Sequence, residues 1–243
     1  MKHFFRCFAM ILAMALIMPA ALIPAAPAEG IPDGPVLHLS FDTIDALKDM
    51  TGNYQAEPFG EIRVYYGVVA GEAVISLDGD GDYISIGRGF NFDGDFTVSL
   101  RVMPKCADRS DAALFAKYET DHYGPYDFYL SENHPAVWVS DGEGGETKQI
   151  SGTALASDEW YVLTFTYQRE PSVMTVYING IFDFSCEVPQ VTANDDLVTV
   201  GRQALMFEPY DQLEYKGYMD EIIVFDRCLN EEEIQLLNMQ PEE

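Results

Sequence analysis

The chain has 243 residues and carries 40 Asp and Glu against 14 Lys and Arg, which gives a formal net charge of −26. Hydrophobic residues make up 48% of it, enough for a packed core, so a disordered acidic protein is excluded. The charge repels phosphate backbones, and we therefore expect no nucleic acid partner.

The N-terminus has the order of a secretory signal peptide. Two basic residues precede a long apolar stretch, and small residues end at Ala28. We predict a signal peptide over 1–28, a short linker over 29–35, and a secreted or cell-surface-associated protein without membrane insertion after cleavage. The alternative is an uncleaved anchor helix, against which Pro19 and Pro24 argue because they interrupt the apolar stretch.

Short segments of apolar and β-branched residues recur along the remaining chain, as in strands. The predicted strands cover 36–41, 74–77, 83–86, 96–102, 113–118, 128–130, 136–139, 160–167, 197–200 and 218–225, with a hairpin over 174–184. Because no helix alternates with these strands, they predict an all-β sandwich of two stacked sheets. Trp160 begins one of the most apolar segments, and we assign it to the core.

The clearest hairpin turns at Asn179 and Gly180, the residue pair that a type I′ turn favours. Both faces of this hairpin are apolar, so one face should meet the core and the other a covering loop or a ligand. Strict alternation divides the hairpin into Met174, Val176, Ile178 and Ile181 on one face and Tyr177, Phe182, Phe184 and Cys186 on the other.

One helix is signalled near the end of the chain. Asn230 is a favourable N-cap, and Glu233 three residues later completes a capping box. Leu229 and Ile234 are spaced as a hydrophobic staple, which fixes how the chain enters the helix.

Three cysteines follow the predicted signal peptide, namely Cys106, Cys186 and Cys228. An exported protein can form one disulfide bond from such a set and leave one thiol. The alternative is three small buried hydrophobic residues, and the spacing does not choose between them.

A series of short motifs occurs in a fixed order along the chain: 39–42, 49–53, 77–84, 95–99, 159–160, 176–180, 200–202, 217–222, 225–229 and 233–234. In this order they resemble the laminin-G-like jellyroll domain of the concanavalin A-like lectin/glucanase superfamily. The resemblance covers 36–240 and implies a two-sheet antiparallel jellyroll sandwich with one concave sheet, here followed by the short C-terminal helix. It also implies extracellular carbohydrate binding or adhesion.

Catalysis is the first question that the resemblance raises. Glycoside hydrolysis needs two carboxylates about 5–10 Å apart across the scissile bond. Strand alternation places Asp220 and Glu221 on opposite faces, and the Glu-x-Asp spacing of Glu119 and Asp121 falls on a loop. We therefore expect no enzymatic activity.

The resemblance also implies one structural calcium ion at the rim of the sandwich, as in many such domains. The residues that match in position and offer oxygen are Asp42, Asn53 and Asp220. The alternative is that Asp42 and Asp49 cap turns and that Asp220 makes a local hydrogen bond.

Aromatic and polar residues are concentrated in the segment 118–138. Sugars bind to aromatic faces and are oriented by a few polar side chains. The candidate ligand-binding residues are Tyr123, Tyr126, Trp138, Asp121 and Asn133. The alternative is that Trp138 belongs to the core or packs on a sheet face.

These observations predict a secreted, non-catalytic module that binds a carbohydrate or glycoconjugate and is stabilised by calcium. Its expected partner is a glycan or an extracellular glycoprotein. An extracellular protein-adhesion domain is the alternative, and a divergent glycoside hydrolase is a third hypothesis.

Overall fold

The computed structural model describes residues 31–42, 47–69, 72–92, 94–105, 110–119, 124–204 and 213–238. The predicted signal peptide and its cleavage site lie outside these residues. The described strands are β1 (Leu37–Leu39), β2 (Glu57–Phe59), β3 (Arg63–Val69), β4 (Glu72–Asp78), β5 (Tyr83–Gly87), β6 (Phe96–Pro104), β7 (Asp111–Lys117), β8 (Tyr126–Ser131), β9 (His134–Ser140), β10 (Glu146–Ile150), β11 (Tyr161–Gln168), β12 (Val173–Ile178), β13 (Ile181–Glu187), β14 (Val198–Val200) and β15 (Lys216–Phe225), and helix α1 (Glu231–Asn238) follows.

The strands form two antiparallel sheets, which confirms the predicted jellyroll sandwich. The eight-stranded sheet has the order β13-β12-β11-β6-β15-β4-β3, and β1 pairs with β15 outside this path. The seven-stranded sheet has the order β10-β9-β8-β7-β14-β5-β2. Fully buried side chains of both sheets, such as Phe96, Phe128 and Phe165, form one hydrophobic core.

Helix α1 forms a second apolar cluster on the outer face of the eight-stranded sheet, where Ile223 and Phe225 pack with Leu229 and Ile234. The predicted capping box is present. Asn230 Oδ1 accepts a hydrogen bond from the Glu233 backbone N–H at 3.0 Å, and a Glu233 carboxylate oxygen accepts one from the Asn230 backbone N–H at 3.0 Å. The local sequence therefore fixes where this helix begins.

The hairpin between β12 and β13 has the predicted turn, since both Asn179 (φ 51°) and Gly180 (φ 72°) have positive φ. The pairing nearest the turn is also as predicted, with Ile178 opposite Ile181. At these positions glycine and asparagine tolerate a backbone conformation that strains most residues.

The predicted division of the hairpin faces is wrong beyond the turn. The register shifts after Tyr177, so that Val176 pairs with Phe184 and Asp183 becomes an extra residue of β13. As a result, Phe184 and Cys186 pack against the main core with Val176. The outer side of β12 is covered by α1, which packs with Tyr177.

Strict alternation also fails in β15. Its pairing with β6 shifts between Met219 and Ile222, and both of these residues lie in the core. The two residues between them, Asp220 and Glu221, are therefore on the same outer side, where they contact Arg101 and His38 respectively. The prediction that Asp220 and Glu221 occupy opposite faces is wrong because of this bulge.

Trp160 does not belong to the core between the sheets, contrary to the prediction. It precedes β11 and is half-buried, and the Arg101 guanidinium carbon lies 5.2 Å from the centroid of its ring. Strands β2, β3 and β10, which the sequence did not predict, have mostly exposed residues and lie at or next to sheet edges.

Two of the three cysteines are described, and neither Cys186 nor Cys228 forms a disulfide bond. Burial raises the pKa of both thiols, so both stay protonated near neutral pH. Cys106 lies outside the described residues, and a disulfide bond is not present among those described.

Candidate functional site

A row of side chains crosses the outer face of the seven-stranded sheet. Residues directly opposite one another in neighbouring antiparallel strands point to the same face. The pairings place Lys148, Trp138, Asp127, Ala116, Thr199, Ser85 and Glu57 in this row, in that order from β10 to β2. We call Trp138, Asp127, Tyr129 and Lys148, at one end of this face, the Trp138 surface.

Asp127 supplies the carboxyl group of the Trp138 surface, and its pKa is strongly raised. Its neighbours in β8, Tyr126 and Phe128, enter the core, so alternation directs Asp127 outward. It is nevertheless only 5% exposed, and Gln203 Nε2 donates a hydrogen bond to its Oδ2 at 2.5 Å. Burial raises the pKa of Asp127 to about 7, although the hydrogen bond from Gln203 lowers it, and Asp111 adds to the rise. The carboxyl is thus poised to change charge near neutral pH.

Tyr129 lies two residues further along β8 on the same outer face. It is 4% exposed, and its hydroxyl is buried without a hydrogen-bond partner among the described residues. Burial raises its pKa, so the phenol stays neutral. Lys148 Nζ lies 5.3 Å from the Tyr129 ring centroid and 3.7 Å from Asp111 Oδ2. A cation is therefore held over an aromatic ring beside the buried acid.

Trp138 supplies the partly exposed aromatic side chain of this surface. Its ring packs edge-on against Tyr118, with the centroids 5.4 Å apart at an interplanar angle of 67°. Ala113 and Ala116, on the same face of β7, are small. An aromatic face beside small residues, with hydrogen-bonding groups close by, is the arrangement that sugar sites use.

The ligand-binding residues predicted from the sequence include one of the four residues of the Trp138 surface. Trp138 lies on it, whereas Tyr126 is a correction: it is 1% exposed and stacks with Phe128 in the core, with centroids 5.3 Å apart. Asp121 and Tyr123 lie outside the described residues. Asn133 is not part of the surface. It is a positive-φ residue of the β8–β9 turn, five positions from Trp138, which corresponds to roughly 16 Å along a strand.

Asp127, Tyr129, Lys148 and Gln203 are the residues that sequence reasoning did not select. Asp127 and Tyr129 could have been identified from the sequence. If the predicted strand is extended back to Tyr126, these two residues alternate with the core residues Tyr126 and Phe128. Gln203 and Lys148 could not have been identified, since their positions depend on pairing between distant segments.

The three predicted calcium ligands do not form one site. Asp42 Oδ1 accepts a hydrogen bond from the Ala73 N–H at 3.0 Å, and Asn53 Nδ2 donates one to the Val36 carbonyl at 3.0 Å. Val36 precedes β1 and Asp42 follows it, so Asn53 and Asp42 lie at opposite ends of this strand. This donor set therefore does not fit a single ion.

Asp220, the third predicted ligand, is paired with Arg101 (Nη1 to Oδ2, 2.5 Å) and is only 1% exposed. Among the described residues, no three His, Cys, Asp or Glu side chains cluster as a metal site would. Calcium binding remains a prediction of the sequence, but Asp42, Asn53 and Asp220 are not its ligand set.

Asp49 behaves as the predicted turn cap. Its carboxylate accepts hydrogen bonds from the backbone N–H groups of His38, Thr51, Asn53 and Tyr54 and from the Thr51 hydroxyl, at 2.7 to 3.0 Å. Burial raises the pKa of Asp49, but these hydrogen bonds outweigh burial, and the net pKa is lowered.

Comparison with known families matches residues 78–235 to a laminin-G-like model of the concanavalin A-like lectin/glucanases superfamily. The chain belongs to this laminin-G-like family. A comparison with curated proteins gave no match.

Several solved structures share the fold. One is domain 4 of AbnA, an extracellular arabinanase from Geobacillus stearothermophilus, in complex with arabinotriose, with 21% identity, a TM-score of 0.68, and coverage of 85% of this chain and 98% of that domain. Another is the binding domain of Paraclostridial Mosquitocidal Protein 1, with 20% identity, a TM-score of 0.68, and coverage of 85% and 52%.

A third similar structure comes from a study of botulinum neurotoxin type C, whose cell entry depends on two ganglioside molecules, with 14% identity, a TM-score of 0.64, and coverage of 85% and 51%. The laminin-G-like chain thus spans about half the length of the toxin domains and nearly all of the arabinanase domain. Within the described residues, none of the helical structure is long and apolar enough to cross a membrane.

Proposed function

We propose that this laminin-G-like domain is a non-catalytic module that binds a glycan through the Trp138 surface. One observation carries the proposal: Trp138 lies directly between Asp127 and Lys148 on neighbouring strands, so an aromatic side chain, an acid and a cation share one outer face. Such a surface offers the partly exposed Trp138 ring for the C–H face of a sugar and the half-exposed Lys148 ammonium for its hydroxyls.

The similar solved structures support a glycan as the class of ligand. The arabinanase domain was solved with a sugar, arabinotriose, and the neurotoxin interacts with gangliosides, which carry glycans. We extend this class to the present chain, and the glycan can belong to a polysaccharide or to a glycoprotein.

The non-catalytic part of the proposal rests on the neighbourhood of Asp127. Its raised pKa suits a general acid, but hydrolysis also needs a free second carboxylate across the bond. The acid that most raises its pKa, Asp111, is itself paired with Lys148. A hydrolase would release reducing sugar from the oligosaccharides that it binds, and a reducing-end assay on each bound ligand tests this.

Export by a cleaved signal peptide is also part of the proposal, and its basis is the sequence before Ala28. Mass spectrometry of the N-terminus of protein recovered from the culture medium tests it. A mature N-terminus at Glu29 supports cleavage after Ala28, and retention of the first residues would contradict it.

A glycan array with the purified protein tests the proposed function, followed by titration of each bound oligosaccharide into Trp138→Ala. Loss of the ring should weaken binding by about tenfold or more, since burying an aromatic side chain contributes about 1.5–3 kcal/mol. Tyr66→Ala is the matched control, because Tyr66 is 70% exposed on β3 of the other sheet. Equal affinities of the two variants would overturn the proposal.

Protein adhesion is the second candidate function, because the β12–β13 hairpin exposes two neighbouring hydrophobic residues. Ile181 is 70% exposed and Phe182 is 56% exposed, beside a cavity of about 420 Å³ that Glu231 and Glu232 also line. A blank glycan array from folded protein would favour this candidate, and binding of a receptor lost in Phe182→Ser would support it.

A further inference from the structure

A second cavity opens on the outer face of the eight-stranded sheet, on the opposite side of the sandwich from the Trp138 surface. Its volume is about 300 Å³, near the lower limit for ligand pockets. It is lined by Arg101, Trp160, Tyr161, Val162, Asn179 and Asn238. We call it the Trp160 cavity.

Strand pairing and an ion pair hold the wall of the Trp160 cavity. Arg101 lies directly opposite Val162 on the neighbouring strand, and its guanidinium carbon is 5.2 Å from the Trp160 ring centroid. Asp220, which is 1% exposed, holds the same guanidinium. Because Asp220 balances the charge of Arg101, the cavity is not built for an anion, and the acidic protein as a whole repels one.

Amide groups complete the lining. Asn179 is fixed by the turn, since its backbone N–H donates to the Val162 carbonyl and its Oδ1 accepts the Val162 N–H, both at 2.8 Å. Its amide nitrogen makes no hydrogen bond within the described residues. Asn238, at the end of α1, brings a second amide to the cavity. Such amides serve hydroxyl groups, which both donate and accept hydrogen bonds.

One polar atom of Trp160 lacks a hydrogen bond within the described part of the chain. Its indole Nε1 is buried and has no hydrogen-bond partner among the residues that the structure describes. A buried indole N–H normally finds one, and a bound water or ligand is a common explanation when the protein offers none.

We propose that the Trp160 cavity is a second carbohydrate site, which takes one neutral sugar ring, such as the terminal residue of an oligosaccharide. The indole and the aliphatic surface of Val162 suit the apolar face of the ring, and the two asparagine amides suit its hydroxyls. The inference deepens the proposed function, because it assumes the same class of ligand, but it does not depend on the Trp138 surface. Two sites on opposite faces would let one molecule bridge two glycan chains.

The chain has two tryptophans, Trp138 and Trp160, and each belongs to one of the two surfaces. Trp138→Phe therefore leaves an indole only in the Trp160 cavity, and Trp160→Phe leaves one only on the Trp138 surface. Arabinotriose and a panel of neutral oligosaccharides are titrated into both variants, with intrinsic fluorescence as the readout. We expect a saturable change in Trp138→Phe.

The further change Asn238→Ala in that background should weaken binding several-fold, since one hydrogen bond contributes about 1 kcal/mol. In the Trp160→Phe background the same change should have no effect. A fluorescence change in Trp138→Phe that Asn238→Ala leaves untouched would overturn the Trp160 cavity as the binding site.

The two proposals fail in distinguishable ways. A response from Trp138 alone overturns the second site and leaves the proposed function intact, whereas a response from Trp160 alone overturns the Trp138 surface. If neither indole changes its fluorescence with any oligosaccharide of the panel, both proposals are overturned. If a variant does not fold, the two indole N–H signals in a nitrogen-15 correlation spectrum of the wild type give the same answer, because a sugar in the Trp160 cavity must shift the Trp160 signal.

Discussion

Arg101 and Asp220 form a buried ion pair on the outer face of the eight-stranded sheet, with Arg101 Nη1 2.5 Å from Asp220 Oδ2. The pair exists because the register shift between Met219 and Ile222 directs Asp220 to the side of the sheet where Arg101 lies. Asp220 is thus the counter-ion of a buried cation, and through Arg101 it also shapes the Trp160 cavity.

Asp220→Ala should destabilise the protein by about 3–5 kcal/mol, because it removes the carboxylate that pairs with the buried Arg101 charge. Urea unfolding of wild type and variant measures this. Asp158→Asn is the control, since Asp158 pairs with Lys105 at the surface, at 3.4 Å, and such pairs contribute about 1 kcal/mol or less. Asparagine is chosen because it tolerates the positive φ of this position (64°). Similar losses in the two variants would contradict the assignment of a buried pair.

Chelation separates this role from a role in metal binding. If Asp220 is the ion-pair partner of Arg101 and not a metal ligand, EDTA should leave the difference in melting temperature between wild type and Asp220→Ala unchanged. Differential scanning fluorimetry with calcium and with EDTA measures both proteins. A chelation shift in the wild type that disappears in the variant would restore Asp220 as a calcium ligand.

The fold could be predicted from sequence where residues act through near neighbours. The capping box of Asn230 and Glu233 and the turn at Asn179 depend on residues a few positions apart, and both form as predicted. Bulges cannot be predicted in this way. The extra residues at Asp183 and at Asp220 come from pairing with distant strands, and a single extra residue reverses the face of everything beyond it.

The candidate site was less accessible to sequence reasoning for a related reason. Aromatic composition selected Tyr126 and Trp138 alike, although one is in the core and the other is on the outer face. Asp127 was not selected because the predicted strand began at residue 128, and only its partner Gln203, 76 positions away, and its burial distinguish it.

Asp127→Asn should stabilise the protein at pH 8 and have little effect at pH 4. The folded-state pKa of Asp127 is raised to about 7 from 3.8, so the folded state prefers the neutral form. The wild type therefore loses stability as the pH rises from about 4 through 7, and the neutral amide escapes this loss. Gln203 can still donate to the asparagine oxygen.

Thermal unfolding of wild type and Asp127→Asn across pH 4 to 9 measures this difference. Glu57→Gln is the control, because Glu57 is an exposed acid at the far end of the same row. A stability difference between wild type and Asp127→Asn that is constant with pH would show that Asp127 does not titrate in this range.

Asp49→Ala should destabilise the protein by about 3 kcal/mol, because several backbone N–H groups lose their shared acceptor in a buried position. Asp141 is less buried than Asp49 and caps its turn in the same way, through the N–H groups of Glu143 and Gly145, so Asp141→Ala should destabilise the protein less than Asp49→Ala does. Urea unfolding distinguishes the two. The Asp49 contribution should also vanish below its lowered pKa, so equal effects of Asp49→Ala at pH 7 and at pH 2 would contradict its origin in the carboxylate.

Lys117 should make the stability of the protein depend on pH in the opposite direction, at alkaline pH. Its ammonium is buried and donates hydrogen bonds to the carbonyls of Phe90 and Asn194, at 3.1 and 2.9 Å, and to the side chain of Asn91. Burial lowers its pKa to about 8 from 10.5, so between these values the unfolded chain binds a proton that the folded protein does not. Stability contributed at this position should therefore rise with pH across that window.

Methionine is similar in length to lysine and carries no charge, so Lys117→Met should abolish this rise of stability with pH. The variant is expected to be less stable than the wild type at pH 7, because three oxygen acceptors lose their donor, and the gap should widen as the pH rises from 8 to 10. Urea unfolding at several pH values measures the gap, with Lys148→Met as the control, since Lys148 is half-exposed. A gap that stays constant between pH 8 and 10 would mean that Lys117 keeps its proton in the folded state, held by those same three oxygens.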